Sequence, residues 1–386
     1  MRLVHTSDWH IGRLLHGVSL LDDQREILGR FLGEVERLQP DAVIIAGDVY
    51  DRAVPPREAV ALLDDTLHEL VMKLGIPTLV IAGNHDSPER LGFASRMLED
   101  RGLYIEGPIH DSPRVVTLGH GNAAVDVALI PYAAPEVVRS VFEAPEIRGH
   151  EQALRALCER AVAACDPDRR KIAVAHAFVV GGEESDSERA LMVGGASQVA
   201  TSVFDDFDYV ALGHLHRPQR VGGDERIRYS GSLLKYSFSE DKHDKGFSLV
   251  SIDDDGILEV EHHSLAGRRD LRRLEGRLED LIAAGKEDPQ REDYIQATLT
   301  DEGPLLNAMA RLRHGYPNAL QIIRPSYRAS ERAGASPRDP KAQSPLSLFE
   351  TFFAEMREDK ALDEVQRKIV VEAITKVDKR RQERDG

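Results

Sequence analysis

Apolar residues along this chain follow two rhythms. Short uninterrupted runs, Leu3-Val4, Ala42-Val43-Ile44-Ile45-Ala46, Thr78-Leu79-Val80-Ile81, Ile172-Ala173-Val174-Ala175 and Val210-Ala211-Leu212, show no polar alternation. They predict strands covered on both faces, as in a parallel sheet. Helical spacing fills residues 22–38, 57–74, 88–100 and 151–165, and strand alternating with helix builds βαβ units. After Leu103 the rhythm changes to short strands joined by turns, at 115–118, 125–130, 226–229, 247–252 and 258–262, which imply a second sheet. From about Arg268 the pattern reads helix, strand, helix, strand, at 271–284, 294–300, 304–314 and 320–323. Residues 328–344, rich in Ala, Ser, Pro and charge, read as a linker.

The chain then closes on two amphipathic helices. Leu346, Leu348, Phe349, Phe352, Phe353 and Met356 stripe the first, and Leu362, Val365, Ile369, Ala373 and Val377 the second. Two helices this short cannot build a sufficient core. They must dock, either on the rest of this chain or on a partner.

Each uninterrupted run ends in residues able to bind a cation. Arg2-Leu3-Val4-His5-Thr6 runs into Asp8 and His10, the second run into Asp48, the third into Asn84 and His85, the fourth into His176, and the fifth into His214 and His216. One Asp or Asn after a strand is more often a helix cap, and one His on an apolar strand is more often a core residue. The set reads differently. Asp8 with His10, and His214 with His216, are spaced by two, which puts both members on one face of an extended segment. Ligands in open α/β sheets collect in the crevice at the carboxyl ends of the strands. Carboxylate, amide oxygen and imidazole without cysteine suit Mn, Fe or Zn better than Ca. Two ions can be served only if one ligand is shared, and Asp48 is taken as the bridge.

In order, SDWH, GDVYD, GNHD, AHA and GHLH resemble the five motifs of the calcineurin-like metallophosphoesterases. YSGSLLKYSFSE and KGFSLVSID narrow the resemblance to the SbcD family of nuclease subunits, strongly over residues 1–265 and by organisation beyond. The resemblance implies a four-layer α/β sandwich of two mixed sheets, with a small α/β capping domain and a C-terminal helical pair. The expected division is a nuclease domain at 1–265, a DNA-capping domain at 266–328, a linker at 329–345 and an ATPase-binding helical segment at 346–386. Matched motif by motif, Asp8, His10, Asp48 and His216 would hold one ion and Asp48, Asn84, His176 and His214 the other. His85 is left beside the ions as the proton donor, with the Asp51 carboxylate to orient it. The implied cofactors are two divalent ions, manganese foremost. The implied partners are DNA and an SbcC-type, SMC-like ABC ATPase, with a homodimer inside a heterotetramer. The implied activity is DNA end processing and repair, as duplex-end exonuclease and single-strand or hairpin endonuclease. A phosphatase or cyclic-nucleotide phosphodiesterase with the same centre, and a non-enzymatic DNA tether, are the alternatives.

Charge tempers the nucleic-acid reading. The formal net charge is -16, and counting residues by segment places -17 of it in the first 265. Clustered metal-binding carboxylates account for part of this, and the excess argues against broad, nonspecific DNA binding by the catalytic domain alone. Arg268, Arg269, Arg272, Arg273 and Arg277 gather instead at the start of the cap. Arg13 and His16 in the 11–17 loop, and Ser230-Gly231-Ser232, are further places where a phosphate could sit. The charge-rich loop 181–189 is expected at the edge of the cleft. Cys158 and Cys165, seven apart on one apolar helix, are expected in the core rather than in a disulfide. No run reaches the length of a membrane helix, and a ligand at residue 8 leaves no space for a signal peptide, so a cytoplasmic location is expected.

Overall fold

The computed structural model describes residues 1–188, 198–253, 258–303 and 305–324, with scattered positions between 346 and 374. Strands β1 (Arg2–Thr6), β2 (Ala42–Ile45), β3 (Thr78–Ile81) and β4 (Leu103–Glu106) pair in parallel. A second sheet contains β5 (Arg114–Leu118), β6 (Val125–Ile130), β7 (Arg170–His176), β8 (Tyr209–Gly213), β9 (Gln219–Val221) and β10 (Asp224–Tyr229), in the order β9-β10-β8-β7-β6-β5. The chain then returns to the first sheet, where β11 (Gly246–Ile252) pairs antiparallel with β1 and β12 (Leu258–Ser264) with β11. The sequence rhythm grouped these last two strands with the second sheet. Turn-joined strands reveal an antiparallel neighbour but not which of two sheets supplies it.

Uninterrupted apolar runs follow from double-sided burial. Leu3, Ile44, Leu79 and Ile81 face Val127, Leu129, Ile172, Val174 and Ala211 between the sheets. The alternate residues Val4, Val43, Ile45 and Val80 face outward onto α1 (Leu21–Leu38) and α2 (Arg57–His68). The second sheet turns Ala128, Ala173 and Val210 toward α3 (Pro135–Val141) and α4 (His150–Ala164). This is the four-layer sandwich. Helix α1 shows how the sequence dictates its face: Ile27, Leu28, Phe31, Val35 and Leu38 are buried at helical spacing. Each such side chain contributes about 1.5–3 kcal/mol when taken out of water.

Two expected helices differ. The 88–100 helix is instead three short turns, Pro88–Leu91, Ser95–Leu98 and Glu99–Arg101, broken at Ala94 with φ +60°. The backbone of Gly107 crosses so near Pro88 that a Cβ on Gly107 would collide with the Pro88 carbonyl, which packs the first of these turns against β4. The 271–284 helix is a strand, β13 (Leu271–Gly276), followed by α5 (Leu278–Glu287). Pairing with the buried strand β14 (Tyr294–Leu299), itself paired with β15 (Ala319–Ile323), overrides the local helical spacing. The early arginines therefore lie on a strand and its approach.

By contacts the chain forms two compact units, Met1–Leu299 with Leu306–Ile323, and Thr300–Leu305 with Arg324–Gly386. The α/β module is thus continuous with the sandwich. Arg269 bonds Asp23 of α1 at 3.1 Å, the Tyr294 hydroxyl donates to the same carboxylate at 2.8 Å, and Lys235 pairs with Asp270 at 2.7 Å. In the second unit the rings of Phe349 and Phe353 stack with centroids 6.4 Å apart, and Arg367 pairs with Glu350 at 2.7 Å. Residues 325–345, Leu348, Phe352, Met356, Val365, Ala373 and Val377 lie outside the described residues, and with them the expected linker and most of the helical stripes.

One polar rivet joins the two sheets. His5 of β1 is fully buried, and burial lowers its pKa to about 3, so it is neutral. Its Nε2 lies 3.1 Å from the Leu212 carbonyl, which can only accept, so Nε2 carries the proton. Nδ1 must then accept from the Tyr209 hydroxyl at 2.9 Å. Tyr209→Phe is expected to strand that buried acceptor and to lower stability by about 1–3 kcal/mol. Urea unfolding measures this, and an unchanged midpoint would mean the rivet contributes nothing.

Candidate metal centre

All five strand ends converge. Their turns share backbone bonds: the Asp8 amide donates to Gly47 O, the His10 amide to Asp48 O and the Ile11 amide to Val49 O, at 2.9–3.0 Å. Asp86 ties in the third turn, accepting from the amides of Gly83, Val49 and Tyr50 at 2.9–3.1 Å. The Asp86 carboxylate thus serves the scaffold. Burial, and then the charge of Asp48, raise its pKa to about 7. Gly83 has to be glycine, because a Cβ there would overlap the Asp48 backbone nitrogen and carboxylate.

Strain marks the same place. Asp8, His10, Asp48 and His214 all adopt positive φ, at 55°, 43°, 49° and 112°. Such backbone is uncommon in any residue but glycine, though Asp and His tolerate it better than most, and four instances at one place show that the surroundings impose it. Four of the sequence-selected residues are bent in this way to aim their side chains inward.

Asp48 lies at the middle. Its Oδ1 accepts the His85 amide at 2.8 Å. Its Oδ2 faces three imidazoles, His176 Nε2 at 3.5 Å, His10 Nε2 at 3.7 Å and His85 Nε2 at 4.0 Å. Burial disfavours its ionisation, but His176, His10 and His85 outweigh burial and hold the carboxyl well below the usual range. On one side, Asp8, His10 and His216 bring ligand atoms within 4.8 Å of one another, and on the other, Asp48, His176 and His214 do the same. Asn84 Oδ1 joins the second group, 2.9 Å from His176 Nε2 and 3.1 Å from His214 Nδ1.

The donor chemistry fits cations. His176 gives its Nδ1 proton to the Ala46 carbonyl at 2.9 Å. As a neutral ring it then points an Nε2 lone pair at Asn84 Oδ1 and Asp48 Oδ2. Three electron-pair donors facing one another are stabilised by a shared cation, either a proton or a metal ion. The titration of His176 expresses this: burial opposes charging, yet Asp48 and Asp8 prevail and lift it to about 9. Burial and the neighbouring His176 instead lower His214 to about 3. Asp8 is raised to about 6, chiefly by burial, and accepts from the Ser7 hydroxyl at 2.5 Å and the His214 amide at 3.0 Å.

His85 stands beside Asp48, only 11% exposed, with Nδ1 2.8 Å from the Asp51 main-chain carbonyl. Here the expectation for Asp51 is corrected. The residue orients His85 through its backbone oxygen, while its carboxylate pairs with Arg13 at 3.0 Å and lies 3.8 Å from His10 Nδ1. The Arg13 guanidinium, 3.0 Å away on the neighbouring loop, takes the carboxylate, which leaves the main-chain oxygen to the ring. Arg13 is equally committed, since its other arm bonds Ser187 O at 3.1 Å. His16 of that loop is exposed. Ser230 and Ser232 are fully buried and bond Ser7 and the Leu234 carbonyl, so this turn supports the site from within and offers no phosphate-facing hydroxyl. Cys158 and Cys165 are free and buried, and burial pushes the Cys165 thiol up to about 11.

Sequence reading missed the groups around His216. Ser187, Glu188, Glu240 and Lys245 each bond or face its ring or backbone. Glu240 and Lys245 fall within YSGSLLKYSFSE and KGFSLVSID, and Ser187 and Glu188 within the 181–189 loop, but no local spacing pointed to their contacts.

A family model described as calcineurin-like phosphoesterase matches residues 1–218, and one described as type 5 capsule protein repressor C-terminal domain matches 267–357. Among curated relatives, the D subunit of the nuclease SbcCD from Staphylococcus epidermidis is 35% identical over 366 residues, covering 95% of this chain and 96% of that protein. The protein of the same name from Staphylococcus saprophyticus is 37% identical over 327 residues, covering 85% of each. A solved dimetal phosphatase from Danio rerio overlaps 65% of this chain and 92% of its own, with TM-score 0.38 and 14% identity.

Proposed function

The chain belongs to the SbcD family of calcineurin-like metallophosphoesterases, and we propose that it is a metal-dependent DNA nuclease acting with an SbcC-type, SMC-like ABC ATPase in DNA end processing. The observation that carries this reading is Asp48 Oδ2, placed among three imidazoles between two clusters of ligand atoms. Asp8, His10, Asp48 and His216 would hold one divalent ion, and Asp48, Asn84, His176 and His214 the second. Manganese is our choice among the metals such a ligand set suits. When bound, the ions supply Lewis acidity toward a phosphodiester and lower the pKa of water. The protein's own part is then positional. Asp48 sets the separation of the two clusters, the strained turns hold the remaining ligands, and His85 keeps its ring aligned through the Asp51 carbonyl. Protonated at Nε2, His85 would give that proton to the leaving oxygen.

Substrate contact would extend to the 266–328 region as a DNA cap. Arg269 and Arg272 are engaged in ion pairs with Asp23, Asp288 and Asp293. Arg268, Arg273 and Arg277 are less enclosed and are the arginines we assign to phosphate. Exonuclease action on duplex ends and endonuclease action on single strands or hairpins both suit a centre reached from a capped cleft. The two relatives are named as subunits of a nuclease complex. We assign residues 346–386, after the 329–345 linker, to docking on the ATPase, with Phe349 and Phe353 in the contact. Among the described residues no helix is long and apolar enough to cross a membrane, and we place the protein in the cytoplasm, where its thiols stay reduced. For the homodimer we favour the face bearing Phe93 and Met72, which are 82% and 52% exposed beside Val60 and Leu67. Apolar surface gathered in this way marks a protein contact.

Asp48→Ala is expected to lose both ions and all cleavage. His85→Ala should keep both ions and DNA binding while turnover falls about 100-fold, the scale of a lost general acid. Elemental analysis with a linear-DNA assay, run beside small phosphoesters to separate nuclease from phosphatase, checks both. Two tightly held ions in Asp48→Ala, or unaltered turnover in His85→Ala, would sink the respective role. Phe93→Asp should convert a dimer to a monomer in sedimentation, and an undisturbed dimer would move the interface elsewhere. Truncation after Arg338 should preserve cleavage of short DNA and abolish co-purification with the ATPase. Full-affinity binding by the truncated chain would refute that assignment.

A further inference from the structure

We propose that Ser187, Glu240 and Lys245 form a relay that positions His216 for its ion, which makes the 183–188 loop part of the metal centre rather than a rim of the cleft. This rests on the reading of His216 as a ligand. The argument follows the protons. Glu240 Oε1 accepts from Ser187 Oγ at 2.6 Å, and a carboxylate can only accept. Ser185 Oγ, 2.9 Å from Ser187 Oγ, has its own acceptor in Glu188 Oε2 at 2.7 Å. The single Ser187 proton therefore goes to Glu240, the shorter and charge-assisted bond. Ser187 can then only accept from His216 Nδ1, 2.5 Å away. The His216 proton is fixed on Nδ1, and its Nε2 is left with a lone pair facing the cluster of Asp8 and His10.

The far end of the relay is equally determined. Glu240 is fully buried, and its Oε2 accepts from Lys245 Nζ at 2.5 Å. Lys245, 5% exposed, gives its other two protons to the His216 carbonyl at 2.6 Å and to Ser232 Oγ at 3.0 Å. Glu188 Oε1 accepts the His216 amide at 2.9 Å. Every polar atom of His216 outside the cluster is thus held by one of these groups. The other candidate ligands are held differently: His176 uses a main-chain carbonyl, and His10 Nδ1 has no hydrogen-bond partner among the described residues.

A buried Lys–Glu pair contributes little to stability compared with apolar side chains of the same volume. What it does provide here is a fixed negative charge at the back of one imidazole. Ligating histidines commonly give their second N–H to such a group, which sets the tautomer and strengthens the ligand. In this chain the carboxylate acts through an interposed serine, and that serine lies on a separate loop well before the histidine it orients.

The test uses the full chain and Mn²⁺ alone, titrated with the free ion followed by electron paramagnetic resonance. Ser187→Ala should weaken one of two ions about 10- to 100-fold and leave the other unchanged. Ser187→Thr, which keeps the hydroxyl, should restore binding to within a few-fold of the wild type. Glu240→Leu combined with Lys245→Met removes the acceptor of the Ser187 hydroxyl without leaving a buried charge unpaired, and should reproduce the one-ion loss with unaltered circular dichroism. His216→Ala is the reference. If it keeps both ions at wild-type affinity, the ligand reading fails. If it loses one ion while Ser187→Ala and the double variant bind both normally, the relay fails and the ligand reading stands. Equal weakening of both ions by Ser187→Ala would mark a general loosening of the fold and would also overturn the relay.

Discussion

The structure depends on one buried carboxylate. Asp48 is 2% exposed, and a charge taken out of water at that depth is tolerated only if other groups compensate it fully. Its two oxygens have separate roles. Oδ1 receives an amide from the third turn, and Oδ2 is surrounded by imidazoles from three different motifs. Those motifs come from both sheets, so satisfying Asp48 requires the sheets to face each other in one register. The His5 rivet to Tyr209 and Leu212, a few residues below, fixes that register with two directional bonds.

The same demand explains where the backbone is strained. Turns that merely reverse the chain can use relaxed geometry, whereas side chains that converge on a point from separate strands need abrupt redirection in one residue. Positive φ at Asp8, His10, Asp48 and His214 provides it. The cost, about 1–3 kcal/mol for each such residue, is offset by the doubly covered strands behind them. Gln24 adds a restraint from α1, donating to the carbonyls of Trp9 and His10 and accepting the Gly12 amide. A helix of the outer layer thereby holds the first turn in shape.

Charge is distributed to the same end. Most of the net negative charge lies in the first 265 residues, where Asp8 and Asp48 face the centre and Asp86 pins backbone amides. Basic groups near the cleft are largely engaged, Arg13 with Asp51 and Arg269 with Asp23. Under the proposed function, phosphate attraction would come from bound cations and from the exposed Arg268, Arg273 and Arg277. Such a surface favours substrates that reach the centre itself over DNA bound anywhere along the protein.

The sequence by itself determined most of the sandwich strands, though not the short edge strands Leu103–Glu106 and Gln219–Val221, together with the turns at the five apolar runs and the residues that meet there. All of these are local properties: apolar runs report burial, and short polar clusters after them report turns. It could not decide which acceptor each side chain would find. Asp51 serves His85 by its carbonyl because Arg13 takes its carboxylate, and Leu271–Gly276 is a strand because β14 offers it an edge. Gly246–Ile252 belongs to the first sheet because β1 has a free side there. Ser187 and Lys245 each meet His216 across 29 residues of chain, and Glu240 reaches its ring through Ser187. Hydrogen-bond partnership is a competition settled by distance in the folded state, and no periodicity along the chain records its outcome.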